Sequence, residues 1–196
     1  SAVKDENEGT TNYVAVYSDI SEQKRSQEEI NKLAFYDPLT GLPNRRQLME
    51  RLDRELYLAD RYESGGALFF LDIDNFKDIN DTLGHDNGDQ LLIDVGNRLT
   101  QVFDVDTLAR QESDQFLFFM PMDNYGQLKE LRENIATLFE PPFSQNGINI
   151  ALSSSLGIAT YPEHSKDPTT LLRLADIAIS TAKDKRLTFA LYDKKN

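Results

Sequence analysis

Two aspartates are placed where they could hold a divalent cation. Asp72 ends the most continuous apolar run of the chain, residues 67–73, and Asp74 follows two positions later. A carboxylate at the end of a buried strand is costly unless something compensates it. Asp114 falls in the tip of an expected hairpin. If that hairpin lies beside the central strand, the Asp72 and Asp114 carboxylates converge. Two carboxylates and a backbone carbonyl suit the divalent cation that accompanies a nucleoside triphosphate. The plainer reading is a strand-end aspartate facing water. Asn80 and Asp89 flank an expected turn, Gly84-His85-Asp86-Asn87-Gly88. A carboxylate can accept from the N1–H and the N2 amine of guanine while an amide meets its other edge. Adenine lacks that donor pair and would leave the site's polar groups unpaired. The plainer reading of Asp89 is a helix cap.

These residues need elements to position them. Residues 1–11 are polar and read as frayed. Tyr13-Val14-Ala15-Val16-Tyr17 reads as a strand, Ser18-Asp19-Ile20-Ser21 as a helix start, and residues 22–36 as a helix with Ile30, Leu33 and Ala34 on one stripe. Residues 37–44 are dense in turn formers. The next helix carries Leu48, Leu52 and Leu56, and residues 63–66 end it. Residues 67–73 then read as a buried central strand. Phe76, Ile79 and Leu83 mark a short helix, and Leu91, Leu92, Val95, Leu99 and Val102 a longer one. Residues 107–110 and 116–120 read as a hairpin, 124–139 as a helix, 148–161 as β-rich, 169–185 as a helix and 189–192 as a last strand. Strands alternating with helices predict a layered α/β domain around a central sheet. Phe69, Phe70, Phe118 and Phe119 read as core, and His85 and His164 as turn residues.

The 196 residues fit one domain plus a short extra piece, and 39% apolar content is enough for one core. No apolar run reaches the ~18 residues that a membrane span needs. The chain has no cysteine, so disulfides and thiolate zinc sites are excluded, and a reducing cytoplasm is compatible with that. A net charge of −12 argues against nucleic-acid binding, which depends on Lys and Arg neutralising phosphates.

The motifs together resemble a known family. Asp37-Pro38-Leu39-Thr40-Gly41-Leu42-Pro43-Asn44-Arg45-Arg46 is similar to the opening motif of GGDEF domains, the bacterial diguanylate cyclases. Asp72-Ile73-Asp74-Asn75-Phe76-Lys77-Asp78-Ile79-Asn80-Asp81, with Gly84-His85-Asp86 and Gly88-Asp89, is similar to their metal and guanine region. Tyr161-Pro162, Ala175-Asp176 and Ala182-Lys183 are similar to their C-terminal part, so the resemblance covers about residues 35–192. It implies an α/β (α+β) fold with a central, mostly antiparallel sheet flanked by helices, of the palm-like nucleotidyl-cyclase type. It implies GTP as ligand and a homodimer in which two GTP molecules give cyclic di-GMP. By resemblance, Asp72, the Ile73 carbonyl and Asp114 would hold Mg²⁺, Lys77 and Lys183 would neutralise phosphates, and Asn80 and Asp89 would read guanine. The segment 13–21 resembles the end of a PAS sensor. The division expected is therefore a PAS-like remnant over 1–20, a linker helix over 21–36 and a GGDEF-like domain over 37–196. An EAL-type phosphodiesterase domain is expected to follow, within a protein whose other segments could carry a membrane anchor.

Three departures from the family pattern bear on activity. The signature Gly-Gly-Asp/Glu-Glu-Phe reads Glu112-Ser113-Asp114-Gln115-Phe116 here. Both glycines and the fourth acid are gone, and Glu112 sets a negative charge where polyphosphate should lie. Loss of cyclase activity is expected. The family's Gly-Arg-Asn near the C-terminus is Arg186-Leu187-Thr188, which replaces its phosphate-binding Arg by Leu187. The feedback motif Arg-x-x-Asp is Phe103-Asp104-Val105-Asp106, which keeps the Asp and loses the Arg.

Overall fold

The structure is a computed structural model that describes residues 2–4, 10–13, 19–124 and 126–193. Contacts divide the chain into two units, Ser1–Lys32 and Leu33–Asn196. In the first, β1 (Ala2–Lys4) pairs antiparallel with β2 (Thr10–Tyr13). For residues 2–4 and 10–11 the expectation of a frayed start is thus corrected, because each short strand has the other as its hydrogen-bonding partner; the rest of 1–11 lies outside the described residues. Of the strand expected over 13–17, all but Tyr13 lies outside the described residues. Helix α1 (Ser21–Phe35) follows, with the Asp19 carboxylate accepting from the Ser21 amide at its start.

The second unit is built on β3 (Gly65–Ile73), the centre of a five-stranded sheet. Its neighbours are β5 (Gln115–Met122) and β8 (Ser154–Tyr161), both antiparallel to it. Strand β4 (Leu108–Arg110) lies antiparallel on β5, and β9 (Phe189–Leu191) pairs parallel with β8. The sheet is therefore mostly antiparallel, and helices cover both faces. Alternation along β3 assigns the faces. Ala67, Phe69, Leu71 and Ile73 pack in one core with α4 (His85–Leu99) and α5 (Gly126–Phe139). Leu68 and Phe70 pack in the other with α2 (Arg45–Tyr62) and α6 (Pro168–Asp184). The leucine spacing read for α2 holds, since Leu48, Leu52 and Leu56 are all buried. Phe69 stacks on Phe118 with ring centroids 4.8 Å apart, and the four core phenylalanines expected are buried.

Short α3 (Phe76–Leu83) runs into α4 through Gly84 alone. The turn expected over 84–88 is corrected: His85 to Gly88 form the first turn of α4. That helix ends at Leu99, and Val102 is exposed beyond it. A small hairpin not anticipated from the sequence, β6 (Phe143–Gln145) and β7 (Ile148–Ile150), closes over α4. Arg98 of α4 clasps its approach. The guanidinium lies 3.5 Å from the Phe143 ring centroid and donates to the carbonyls of Leu138, Pro141 and Pro142. Gln145 donates to Asp94, and Asn146 at the turn donates to Asn87. Among the described residues, no helix is long and apolar enough to cross a membrane.

Candidate functional site

Asp72 is the penultimate residue of β3 and is only 7% exposed, on the face covered by α6. From α6, Lys183 Nζ reaches Asp72 Oδ1 at 2.6 Å and compensates the buried charge. The β3–β5 register sets Asp72 opposite Gln115, so the hairpin tip carrying Asp114 lies at the strand end. There the Ile73 amide donates to the Asp114 carbonyl at 3.3 Å. Burial pushes the Asp114 carboxyl above its ordinary value, and the Asp72 carboxylate adds to the rise. The two aspartates therefore converge. Asp74 does not join them. Its carboxylate accepts from the Ser153 and Ser155 hydroxyls at 2.6 and 2.7 Å and ties the strand end to β8.

Two hard oxygen donors at the strand end, with the Ile73 carbonyl next in the chain, fit one divalent cation. Among the described residues no group of three or more His, Asp or Glu side chains gathers into a metal site. The protein donor set thus stops at two carboxylates and a carbonyl. A Mg²⁺ held there would keep water or phosphate oxygens in its remaining positions.

The second group sits between α3 and α4. Asn80 Oδ1 is enclosed and accepts no hydrogen bond, which costs about 1–3 kcal/mol if nothing donates to it. It lies so close to Gly88 that a Cβ there would collide with it. Glycine at 88 is what lets the two helices approach. Asp89 is exposed in the next position of α4. It is not a cap, because the helix has already begun at His85. Lys77 is exposed on α3.

The tip itself is a tight turn. The Gln115 amide donates to the Glu112 carbonyl, and the Gln111 amide to the Gln115 carbonyl, both at 2.9 Å. Ser113, the first central residue, has φ 46°. Hairpin turns with positive φ at that position favour glycine, and a side chain there costs about 1–2 kcal/mol. The turn keeps its conformation without either glycine because Arg110 holds it. Arg110 donates through Nε and Nη2 to the Ser113 carbonyl at 3.1 and 2.6 Å. Its Nη1 donates to both Asp37 oxygens at 2.9 and 3.0 Å. Burial pushes Asp37 up, but the Thr40 hydroxyl and amide and the Arg110 guanidinium outweigh it and hold the carboxyl below its ordinary value. Neither member of this pair stands out in the sequence as a site residue, since 73 positions separate them. Gln115, where the family has its fourth acid, instead points its amide at Asp72 Oδ2 across a long 3.5 Å.

The other departures also have structural replacements. Phe103 is 7% exposed and stacks on Phe118, with ring centroids 4.3 Å apart. The position of the feedback arginine has become core. Asp106 is paired with Arg51 at 2.9 Å. At the end of α6, the Leu187 amide donates to the Ala182 carbonyl and the Arg186 amide to the Lys183 carbonyl, at 2.7 and 3.1 Å. This is a Schellman cap with Arg186, at φ 52°, in the left-handed position that glycine prefers. Leu187 is 48% exposed and offers no charge. A cavity of about 690 Å³ opens at the far end of β3 around Gly65, Gly66 and Tyr161. Cavity size alone would point away from the carboxylates.

Comparison with known proteins agrees with this geometry. The family described as diguanylate cyclase, GGDEF domain, matches residues 34–187. The chain is 39% identical over 168 residues to the cyclic di-GMP phosphodiesterase PdeR of Escherichia coli, covering 85% of this chain and 25% of that protein. It is 37% identical over 167 residues to the diguanylate cyclase TpbB of Pseudomonas aeruginosa, covering 82% of this chain and 38% of that one. The chain thus spans well under half of these relatives. The solved GGDEF domain of TpbB superposes with a TM-score of 0.76 at 34% identity, covering 81% of this chain and 94% of that domain. With the family matched over residues 34–187 and the solved GGDEF domain of TpbB superposing over most of its length, the chain belongs to the GGDEF-domain family of diguanylate cyclases.

Proposed function

We propose that this chain is a regulatory GGDEF domain of a cyclic di-GMP signalling protein, which binds GTP with Mg²⁺ but does not make cyclic di-GMP. The carrying observation is the hairpin tip, where Ser113 and Glu112 replace the family's glycines and the neutral Gln115 amide faces Asp72. A carboxylate at 112 repels polyphosphate, and an amide at 115 cannot serve as an ionised ligand or base. The binding half of the reading is supported by the presence of both Asn80 and Asp89 where α3 packs on α4 through Gly88. Asp89 would take the N1–H and N2 donors, and Lys77 and Lys183 would neutralise phosphates. Mg²⁺ held by Asp72, Ile73 and Asp114 would offset triphosphate charge. Leu187 removes one phosphate contact, which weakens GTP binding about ten- to a hundredfold without abolishing it.

A relative that is a phosphodiesterase, of which this chain covers a quarter, supports a longer protein with an EAL-type domain downstream. A PAS-type sensor upstream rests on the sequence resemblance of segment 13–21 alone. A homodimer belongs to the same reading by family resemblance.

Calorimetric titration of the chain with GTP and Mg²⁺, with the same samples assayed for cyclic di-GMP, tests the proposal. Saturable heat without product is the expected outcome. A second reading, an active cyclase, is favoured by the intact Asp72–Asp114 pair, and product from the unmodified chain would establish it. Under our reading, product requires restoration of the signature by Glu112→Gly, Ser113→Gly and Gln115→Glu together. Neither heat nor product would leave a scaffold that binds no nucleotide.

A further inference from the structure

Beside the hairpin, on the α2–α6 side of the sheet, lies a second cavity of about 360 Å³. Its walls include Arg45 at the start of α2, Phe70 of β3, Gln111 and Gln115 at the base of the tip, and Arg173 and Asp176 of α6. Asp72, Asp114, Lys183 and the α3–α4 residues do not line it. Two features set its lining apart. Among the described residues, no ion pair involves Arg45 or Arg173, although the chain carries a net charge of −12. Gln111 Oε1 is enclosed and accepts no hydrogen bond. Asp176 is the one carboxylate among the residues of the wall, so two guanidiniums face a single negative charge.

We propose that this cavity binds a small phosphomonoester that carries an O–H or N–H donor. A guanidinium presents paired donors that match phosphate oxygens and holds its charge at any physiological pH. Gln115 is an amide where an acid would repel such an anion. The occupant's donor satisfies Gln111 once that side chain turns toward the cavity. The volume is at the lower end of the range for small-molecule sites, which suits a phosphorylated triose or pentose. Gln111 and Gln115 flank the turn that carries Asp114, so an occupant that engages them also fixes the hairpin tip. The site is separate from the GTP site proposed above and does not depend on it.

Calorimetric titration of the chain with glycerol 3-phosphate, without Mg²⁺, tests this directly. One-to-one saturation with a Kd of about 1 mM is expected. Arg45→Gln and Arg173→Gln should each weaken it about tenfold, the effect of one lost charge-assisted contact. Arg173→Lys, which keeps the charge and loses the fork, should fall between. Inorganic phosphate should bind several-fold more weakly. Arg61→Gln, near the other end of α2, should leave glycerol 3-phosphate binding unchanged, which separates a contact in this cavity from the loss of one positive charge anywhere. Both cavity arginines are exposed, and unchanged thermal unfolding would show that their variants fold. Absence of saturation, retention of binding in both cavity glutamine variants, or its loss in Arg61→Gln would overturn the proposal. Equal affinity for inorganic phosphate would remove the donor requirement. Failure of GTP to bind would leave all of these expectations standing.

Discussion

The α3–α4 groove and the hairpin tip serve the two ends of one candidate nucleotide site, and they differ in what has been kept. In the groove, Asn80, Gly88 and Asp89 are all present, and Gly88 is as small as the contact with Asn80 demands. At the tip, three of the five signature positions differ, yet the turn is formed and Asp114 still reaches the strand end. The groove depends on specific atoms, and a single Cβ would spoil it. The hairpin depends on register and on a brace from outside, so it keeps its shape through substitutions at the positions where the family carries its signature. Retention of shape at the tip is therefore no evidence of retained catalysis.

Removal of the brace should break that comparison most strongly. Arg110→Met leaves the Asp37 carboxylate without its charged partner and the Ser113 carbonyl without its donors, at a cost of about 3 kcal/mol in denaturant unfolding. It should also change the acid limb of stability. Because Asp37 titrates below its ordinary value in the fold, its contribution is complete above the unfolded value of 3.8 and is lost as pH falls through the folded one. That loss should shrink in the variant. Next in size, Gly88→Ala should cost about 1–3 kcal/mol by overpacking against Asn80 and should remove GTP binding, while the hairpin stays intact by NMR. Ser113→Gly should act in the opposite sense, stabilising the chain by about 1 kcal/mol through relief of positive φ, without restoring product by itself. The smallest effect is expected from Asp114→Asn. The raised Asp114 carboxyl holds its proton more tightly in the fold, so its cost is in force at neutral pH and relieved as pH falls through the folded value. The variant should melt slightly higher at pH 7 and equal to the parent below the unfolded value of 3.8.

Much of this arrangement is legible in the sequence, for identifiable reasons. The apolar run 67–73 can only be a buried strand, and the leucine spacing in α2 can only be one helix face. Convergence of Asp72 and Asp114 then follows from pairing that strand with the hairpin. What escaped depends on contacts distant in sequence or on tertiary override. The composition of 84–88 favours a turn, but close packing of α3 on α4 needs Gly88 inside a helix. The Arg110–Asp37 pair has no local pattern at all. The β6–β7 hairpin did carry a signal, since Asn146-Gly147 is a strong two-residue turn former with both φ values positive here. Its strands are only three residues each, too short for alternation to show.

The Arg98 clasp has a consequence for how this domain opens. One guanidinium ties α4 to the end of α5 and to the chain that enters β6, through three carbonyls and a ring. All of these share one side chain, so α4, the last turn of α5 and the small hairpin are expected to open as a single cooperative unit. In native-state hydrogen exchange their slow amides should share one opening free energy. The helix that carries Gly88 and Asp89 would then loosen only when the hairpin loosens too.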